Sequence, residues 1–309
     1  MLKDGSVLPG RRLLLKLLVL LTYCAFQNTY LCLGLQSGTQ ATELSEVSIP
    51  RTTVWPGIDG KPLPFKSHDE IKEFLLSAEV VSKQGVDTGV TNPWKVVLEK
   101  DGVKAHAIFR HVNMSKENWV DPKRGPRLKW RDYCIYECAA YELSQLIGLD
   151  VVPPTVQRRI EKKDGSLQLW VEGALMEKDR EAENIQPPNM LRFVLQMQVM
   201  KIFDDLIYND DRNRGNIMYD KAWKLWLIDH TRAFRLFEEL PELDQLQRIE
   251  RGLWENLQKL DDELVRERMK GLLNGMEIKG LLKRRALLVE HFRARIAEKG
   301  EAAILFTVP

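Results

Sequence analysis

The order of apolar and polar residues along the chain predicts strands in its first half and longer helices in its second. Trp94 to Leu98 and Val103 to Val112 are rich in branched and aromatic residues, with Asp101-Gly102 as a tight turn between them. Apolar residues at helical spacing predict helices over Tyr133 to Ile147 and over about Asn189 to Asp204. The apolar stripe predicted for the second helix is Met190, Phe193, Val194, Met197 and Met200. Asp164-Gly165 predicts the turn of a further hairpin, so the pattern as a whole favours an α+β protein.

A short hairpin is predicted directly after a strongly polar loop. Ile217-Met218-Tyr219 and Trp223 to Ile228 have the composition of strands, with Asp220-Lys221 between them. Asn216 comes just before the first strand and Asp229 just after the second, so antiparallel pairing brings these side chains together. A carboxylate and an amide oxygen suit a hard cation such as Mg²⁺ or Mn²⁺ that carries nucleotide phosphates. The pattern therefore predicts a metal and nucleotide site.

The polar loop contains a second aspartate, Asp211, five residues before Asn216. In phosphoryl transfer, such an aspartate positions the attacking hydroxyl while a metal ion neutralises charge. The alternative is a polar turn in which Asp and Asn side chains bond their own backbone. The hairpin that follows favours the first interpretation.

Two segments resemble known kinase families. The loop Asp211-Arg212-Asn213-x-x-Asn216, with Ile228-Asp229, is similar to the Asp-Arg-His-x-x-Asn and Ile-Asp-Phe-Gly pair of phosphoinositide kinases and to the Asn-x-Asp-x-His-x-x-Asn loop of the HipA kinases. Glu137 to Leu143, continuing through Gly148 to Pro153-Pro154, resembles the Glu-x-Ala-Ala-x-x-Leu-Asp-x-x-Leu-Gly-x-x-x-Val-Pro-Pro run of the secretory-pathway kinases that phosphorylate casein-like proteins and proteoglycan xylose. The resemblance implies a two-lobed protein-kinase-like fold with ATP as cosubstrate.

The resemblance also implies roles for individual residues. Asp211 and Arg212 would belong to the catalytic loop, and Asn216 and Asp229 would hold the metal. Glu137 would be the small-lobe glutamate that pairs with a strand lysine at the nucleotide phosphates.

The residues alone leave two candidates for that glutamate and two for the cation that pairs with it. Glu142 is a rival to Glu137, and the expected lysine position holds Arg110. Arginine is longer and planar, so this exchange is not conservative, and Lys104, six residues earlier on the same strand face, is an alternative. Gly89 belongs to one glycine turn that would cover the phosphates, although the full Gly-x-Gly-x-x-Gly pattern is absent.

Other departures from the kinase patterns support a competing hypothesis. Asn213 stands where the loop families have histidine, and Asp229-His230-Thr231-Arg232 replaces Asp-Phe-Gly, which makes this segment cationic. A catalytically inactive pseudokinase that binds a partner is therefore the first alternative. Nucleotidyl transfer (AMPylation) on the same fold is the second.

The amino terminus bears on where the protein is located, and the net charge bears on what it binds. Arg11-Arg12 precedes an apolar run from Leu13 to Phe26 that is broken by Lys16, which predicts either a signal peptide or an N-terminal membrane anchor. A net charge of +2 gives no reason to expect nucleic acid as a partner. The predicted organisation is a signal peptide or anchor over 1–35, a linker over 36–60, an N-lobe over 61–175 and a helical C-lobe over 176–309.

The sequence taken together predicts an exported kinase that moves the terminal phosphate of ATP to a hydroxyl group of a protein, lipid or sugar.

Overall fold

An antiparallel sheet and a group of helices make up the part of the chain that the computed structural model describes, which is residues 54–86, 92–121 and 125–308. These residues belong to one compact unit, Ile49–Pro309. The predicted signal peptide or anchor, most of the predicted linker, and Gly89 lie outside the described residues. No helix within the described ranges combines the length and the hydropathy that crossing a bilayer requires.

The N-terminal lobe is built on a five-stranded antiparallel sheet with the strand order β1-β2-β3-β7-β6. Its strands are β1 (Glu79–Gly85), β2 (Trp94–Lys100), β3 (Val103–Arg110), β6 (Thr155–Ile160) and β7 (Lys163–Leu169). Helix α1 (His68–Ser77) covers one face, where Phe74 and Leu75 pack with Ala107 and Phe109 of β3 in one apolar core. Side chains alternate between the faces of a strand, so Arg110 lies on the opposite face.

Two further elements of this lobe separate β3 from β6 in the chain. Strands β4 (Asn113–Asp121) and β5 (Gly125–Tyr133) pair only with each other among the described strands, as a two-stranded hairpin. Helix α2 (Ile135–Leu146) follows at once, within the predicted range of Tyr133 to Ile147.

The hairpin of β2 and β3 forms as predicted. Asp101 and Gly102 have φ of 51° and 76°, the pair of positive φ values that a type I′ turn requires.

The turn predicted at Asp164-Gly165 is wrong. The β6–β7 hairpin turns at Glu161 and Lys162, with φ of 48° and 68°, and Gly165 lies inside β7 opposite Arg158. A Cβ atom on Gly165 would collide with the carbonyl oxygen of Arg110 and lie 2.7 Å from the Phe109 ring. The glycine therefore serves close packing of β7 on β3, not a turn.

The C-terminal lobe is mainly helical, and its two longest helices, Met190–Ile207 and Gly275–Lys299, contact each other. Its helices are α3 (Glu177–Ala182), α4 (Met190–Ile207), α5 (Arg251–Lys259), α6 (Asp262–Arg268), α7 (Gly275–Lys299) and α8 (Glu301–Ile304). Its short strands are β8 (Leu175–Met176), β9 (Ile217–Tyr219), β10 (Leu225–Leu227), β11 (Ile249–Glu250) and β12 (Leu305–Phe306). This arrangement of a sheet lobe before a helical lobe confirms the predicted two-lobed α+β fold.

The apolar stripe predicted for α4 is only partly buried. Met190 and Val194 are each 46% exposed, whereas Phe193, Met197 and Met200 pack against the core as partly buried residues. The fully buried face comprises Leu195, Val199, Ile202, Phe203, Leu206 and Ile207. The helix is apolar on more than one side, so its periodicity did not decide which side faces the core.

Replacing Gly165 with alanine tests the close packing of β7 on β3. We expect Gly165→Ala to lower the free energy of unfolding by about 1–3 kcal/mol, because the added methyl group overpacks a well-filled site. Urea unfolding followed by circular dichroism measures the change. Gly85→Ala is the matched control, since Gly85 also lies in a strand and nothing lies within 4 Å of its added Cβ. Equal effects of the two substitutions would contradict the packing argument.

Candidate active site

Arg212 fixes the polar loop between α4 and the β9–β10 hairpin. Its Nε and Nη2 each lie 2.9 Å from the Asp204 carboxylate on α4. Its Nη1 donates to the carbonyl oxygens of Asn216 and Ile228, at 2.8 and 2.7 Å. The resemblance placed Arg212 in the catalytic loop, and these contacts give it a positioning role there, because its donors are directed at the protein's own groups.

The two residues predicted to hold a metal, Asn216 and Asp229, lie at the open end of the β9–β10 hairpin. Ile217 pairs with Leu227, and the backbone N–H of Ile228 donates to the carbonyl oxygen of Asn216 at 3.2 Å. Asp229 is the next residue, with φ of 59° and a side chain that is 41% exposed. The hairpin geometry inferred from the sequence is therefore present, and Asp229 is accessible to a ligand.

Asp211 lies in the loop and is held by an arginine that follows Asp229. Its Oδ2 accepts a hydrogen bond from Arg232 Nη1 at 2.9 Å, and its side chain is 26% exposed. Its backbone N–H donates to Asn209 Oδ1, and its carbonyl oxygen accepts from Asn213 Nδ2. The loop thus has the local Asp and Asn turns of the alternative interpretation and still presents Asp211 beside the hairpin.

Glu137 and Arg110 form the pair that the resemblance implied. Arg110 Nε lies 3.4 Å from Glu137 Oε1 and 3.8 Å from Asp229 Oδ1. Glu137 is fully buried and also accepts hydrogen bonds from the backbone N–H and Nδ1 of His230, at 3.1 and 3.0 Å. Burial opposes ionisation of Glu137, but the charge of Arg110 and the hydrogen bonds from His230 together lower its pKa. Glu137 is therefore a buried carboxylate held in its charged form.

The two alternatives left open for this pair lie elsewhere. Glu142 contacts Lys72 and Arg268 and does not reach the Arg110 guanidinium. Lys104 Nζ lies 3.1 Å from Glu99, and six residues of strand place it about 20 Å from Arg110 along β3. Lys104 is therefore not a nucleotide-site cation.

Sequence reasoning missed Asp132 as a member of this charge cluster. Asp132 is 1% exposed, and its Oδ2 accepts a hydrogen bond from Arg232 Nε at 2.9 Å. Four carboxylates and two guanidinium groups meet here, leaving a formal charge of −2. The carboxylates are those of Asp132, Glu137, Asp211 and Asp229, and the guanidinium groups are those of Arg110 and Arg232.

The donor set fits a divalent cation that is shared with a nucleotide. Within the described ranges, no group of three or more His, Cys, Asp or Glu side chains is arranged to hold a metal ion. Mg²⁺ is commonly held by only one or two protein carboxylates, with phosphates and water completing its shell. The Asp229 carboxylate with the Asn216 amide oxygen satisfies that pattern.

Comparisons with known proteins confirm the fold. No protein-family model matches the chain, and a search of curated proteins gave no match. The structure of hydra Fam20 with sugar superposes with a TM-score of 0.56 at 16% identity, over 77% of this chain and 92% of that chain. The Golgi casein kinase gives 0.58 at 14% identity over 78% of both chains. Its structure with Mn and ADP bound gives 0.55 at 15% identity, over 77% and 78% of the two chains. The two-lobed kinase-like fold predicted from the sequence is thus confirmed.

Replacing Glu137 with glutamine tests the buried ion pair. At pH 7 we expect Glu137→Gln to lower the free energy of unfolding by about 3 kcal/mol, because Arg110 then lacks the buried partner of its charge. The folded-state pKa of Glu137 is lowered, so its contribution is present above the unfolded pKa of glutamate, about 4.3, and is lost as the pH falls through the lower folded value. Chemical unfolding measures the free energy of unfolding at pH 7 and in steps below pH 4. We expect the difference in this free energy between the variant and wild type to become smaller as the pH falls.

The control for this experiment is Glu99→Gln, which removes an ion pair with Lys104 at the surface. A difference between Glu137→Gln and wild type that stays constant across the acid range would contradict a charged Glu137.

Proposed function

We propose that the protein is an exported, metal-dependent phosphotransferase that moves the terminal phosphate of ATP to a hydroxyl group. The observation that carries the proposal is one juxtaposition. Asn216 and Asp229 flank the paired ends of β9 and β10, Arg110 lies near both Asp229 and buried Glu137, and Asp211 lies in the adjoining loop. The kinase-like fold, and a neighbour of that fold with Mn and ADP bound, support the same chemistry.

The metal ion is assigned to Asn216 and Asp229. When bound, Mg²⁺ or Mn²⁺ would neutralise charge on the phosphates and help to align them. The carboxylate of Asp229 is exposed enough to share such an ion with a nucleotide, whereas Asn216 is 8% exposed and fixed by the loop.

Arg110 takes the place of the lysine expected in kinases. Its guanidinium brings a permanent positive charge to the end of β3, beside Asp229, where the nucleotide phosphates would lie. Its contact with Glu137 restricts the side chain before any ligand arrives, so little ordering remains for nucleotide binding.

Asp211 is the residue that would accept the hydrogen of the attacking hydroxyl. It is partly exposed, and its carboxylate is already oriented by Arg232. Such orientation matters because phosphoryl transfer is catalysed mainly by positioning and by electrostatic stabilisation.

The acceptor is a hydroxyl of a protein, lipid or sugar. A sugar hydroxyl is the first to test, since the hydra Fam20 neighbour was solved with a sugar. Export rests on the apolar run from Leu13 to Phe26 after Arg11-Arg12.

A pseudokinase is the second candidate, and the observation that favours it is Arg110. Arginine cannot reproduce the compact point charge of lysine, and its contact with Asp229 competes with a metal ion for that carboxylate. Under this hypothesis the fold binds a partner without turnover.

Metal-dependent nucleotide binding is the first test of the phosphotransferase proposal. We expect the wild-type protein to bind ATP in the presence of Mn²⁺ or Mg²⁺, and Asp229→Ala to weaken that binding at least about 10-fold, which corresponds to about 1.4 kcal/mol. Isothermal titration calorimetry with each metal measures the affinities. Asp164→Ala is the matched control, because Asp164 is a surface residue, 71% exposed, paired with Arg159.

The reaction product then separates the activities. Release of ADP indicates phosphoryl transfer, whereas pyrophosphate indicates nucleotidyl transfer. Absence of ATP binding with both metals would overturn the phosphotransferase proposal and leave the partner-binding module.

A further inference from the structure

Arg232 links the candidate catalytic loop to the β4–β5 hairpin of the other lobe. Its Nη1 donates to Asp211 Oδ2 and its Nε to Asp132 Oδ2, both at 2.9 Å. Asp132 is near the end of β5, about 80 residues before Asp211 in the chain. A single guanidinium therefore bridges a carboxylate from each lobe.

Several contacts hold the hairpin end of this bridge in place. Asp132 is 1% exposed, and the backbone N–H of the next residue, Tyr133, donates to the carbonyl oxygen of Thr231 at 2.7 Å. The Arg232 guanidinium also lies over the ring of buried Trp130, 5.4 Å from its centroid. Strand β5 thus contacts the segment after Asp229 through its backbone, a carboxylate and an aromatic ring.

The geometry of a guanidinium makes this bridge directional. Its nitrogen atoms lie in one plane at fixed separations, so anchoring Nε on Asp132 sets the direction in which Nη1 points. Hydrogen bonds between charged partners are about twice as strong as neutral ones and hold a narrow geometry. The orientation of the Asp211 carboxylate therefore depends on where β5 lies.

We propose that Arg232 is a positioning residue for Asp211 and that Asp132 makes the β4–β5 hairpin the element that sets this position. The inference rests on the proposed function, because it concerns the role of Asp211 toward the acceptor hydroxyl. It assigns the β4–β5 hairpin to the acceptor side of the site, whereas Arg110, Glu137 and Asp229 form the nucleotide side.

A purely structural role for Arg232 is the competing explanation. Asp132 is buried and paired with Arg232, and removing the partner of a buried carboxylate destabilises the fold whether or not Asp211 is present. The two explanations differ in what happens when both charges are removed together. With both charges removed, Asp132 no longer needs a partner, so a purely structural role predicts normal activity. A positioning role predicts low activity, because Asp211 has still lost its contact with Arg232.

The test compares Arg232→Lys, Arg232→Gln and the double variant Asp132→Asn/Arg232→Gln in the full chain. Arg232→Gln alone leaves Asp132 without its partner and is expected to be less stable, so the double variant supplies the stable comparison. The readouts are the dissociation constant for ATP with Mn²⁺ and kcat for ADP release. Arg251→Gln is the control, since it removes an arginine from an exposed ion pair with Glu301, outside the candidate site.

A positioning role predicts a split between kcat and binding. We expect kcat of the double variant to fall about 100-fold, the usual cost of a catalytic group displaced by about 1 Å, while its affinity for ATP with Mn²⁺ stays within about 2-fold. Arg232→Lys should recover part of kcat, because lysine keeps the charge but loses the planar bridge. Unchanged kcat in the double variant would overturn the proposal, and so would a loss of kcat matched by an equal loss of affinity.

Amide hydrogen exchange without nucleotide provides a second arm that does not need turnover. We expect the double variant to lose protection in β5 and in the loop from Asn209 to Asn216 together. A change confined to β5 would overturn the link. If the wild-type protein binds no nucleotide, the proposed function fails, and the exchange result still decides whether Arg232 couples the hairpin to the Asp211 loop.

Discussion

The buried carboxylate of Glu137 receives contacts from both lobes. It lies on α2 in the sheet lobe, and its partners come from both sides, Arg110 from β3 and His230 from the segment after the β9–β10 hairpin. A buried charge is stable only when its hydrogen bonds and its opposite charge are in place. The requirement to satisfy Glu137 therefore fixes β3, α2 and the hairpin relative to one another.

A partly buried ion pair anchors the loop and the β9–β10 hairpin of the candidate site to α4. Arg212 joins Asp204 at the end of α4 to the backbone of Asn216 and Ile228, so the loop and the hairpin are fastened to the same helix. These contacts are all made within the protein, so the backbone at Asn216 and at Ile228, directly before Asp229, is held by the protein's own groups. Preorganisation of this kind is what phosphoryl transfer requires of a protein.

Local signals in the sequence identified several elements but not the contacts between them. Turn chemistry placed the hairpin at Asp101-Gly102, and periodicity placed α2, because both depend on neighbouring residues. The turn predicted at Gly165 is wrong, because glycine is needed there for close packing against Arg110 and Phe109 on the neighbouring strand. Asp132 and Arg232 are 100 residues apart, and no local pattern marks them as partners. The pairing of Glu137 with Arg110 came from resemblance to kinases, and the structure supplied its geometry.

Under the proposed function, the charge of the cluster favours binding of the metal ion and the nucleotide together. With Arg110 and Arg232 in place, the four carboxylates still leave a formal charge of −2, which repels a triphosphate. One divalent cation between Asn216 and Asp229 would cancel that charge and offer its remaining coordination positions to phosphate oxygens. Removing either guanidinium would make the cluster more negative by one unit. The exchange of lysine for arginine at Arg110 therefore preserves the charge that the site needs and changes its reach, since the guanidinium lies near both Glu137 and Asp229.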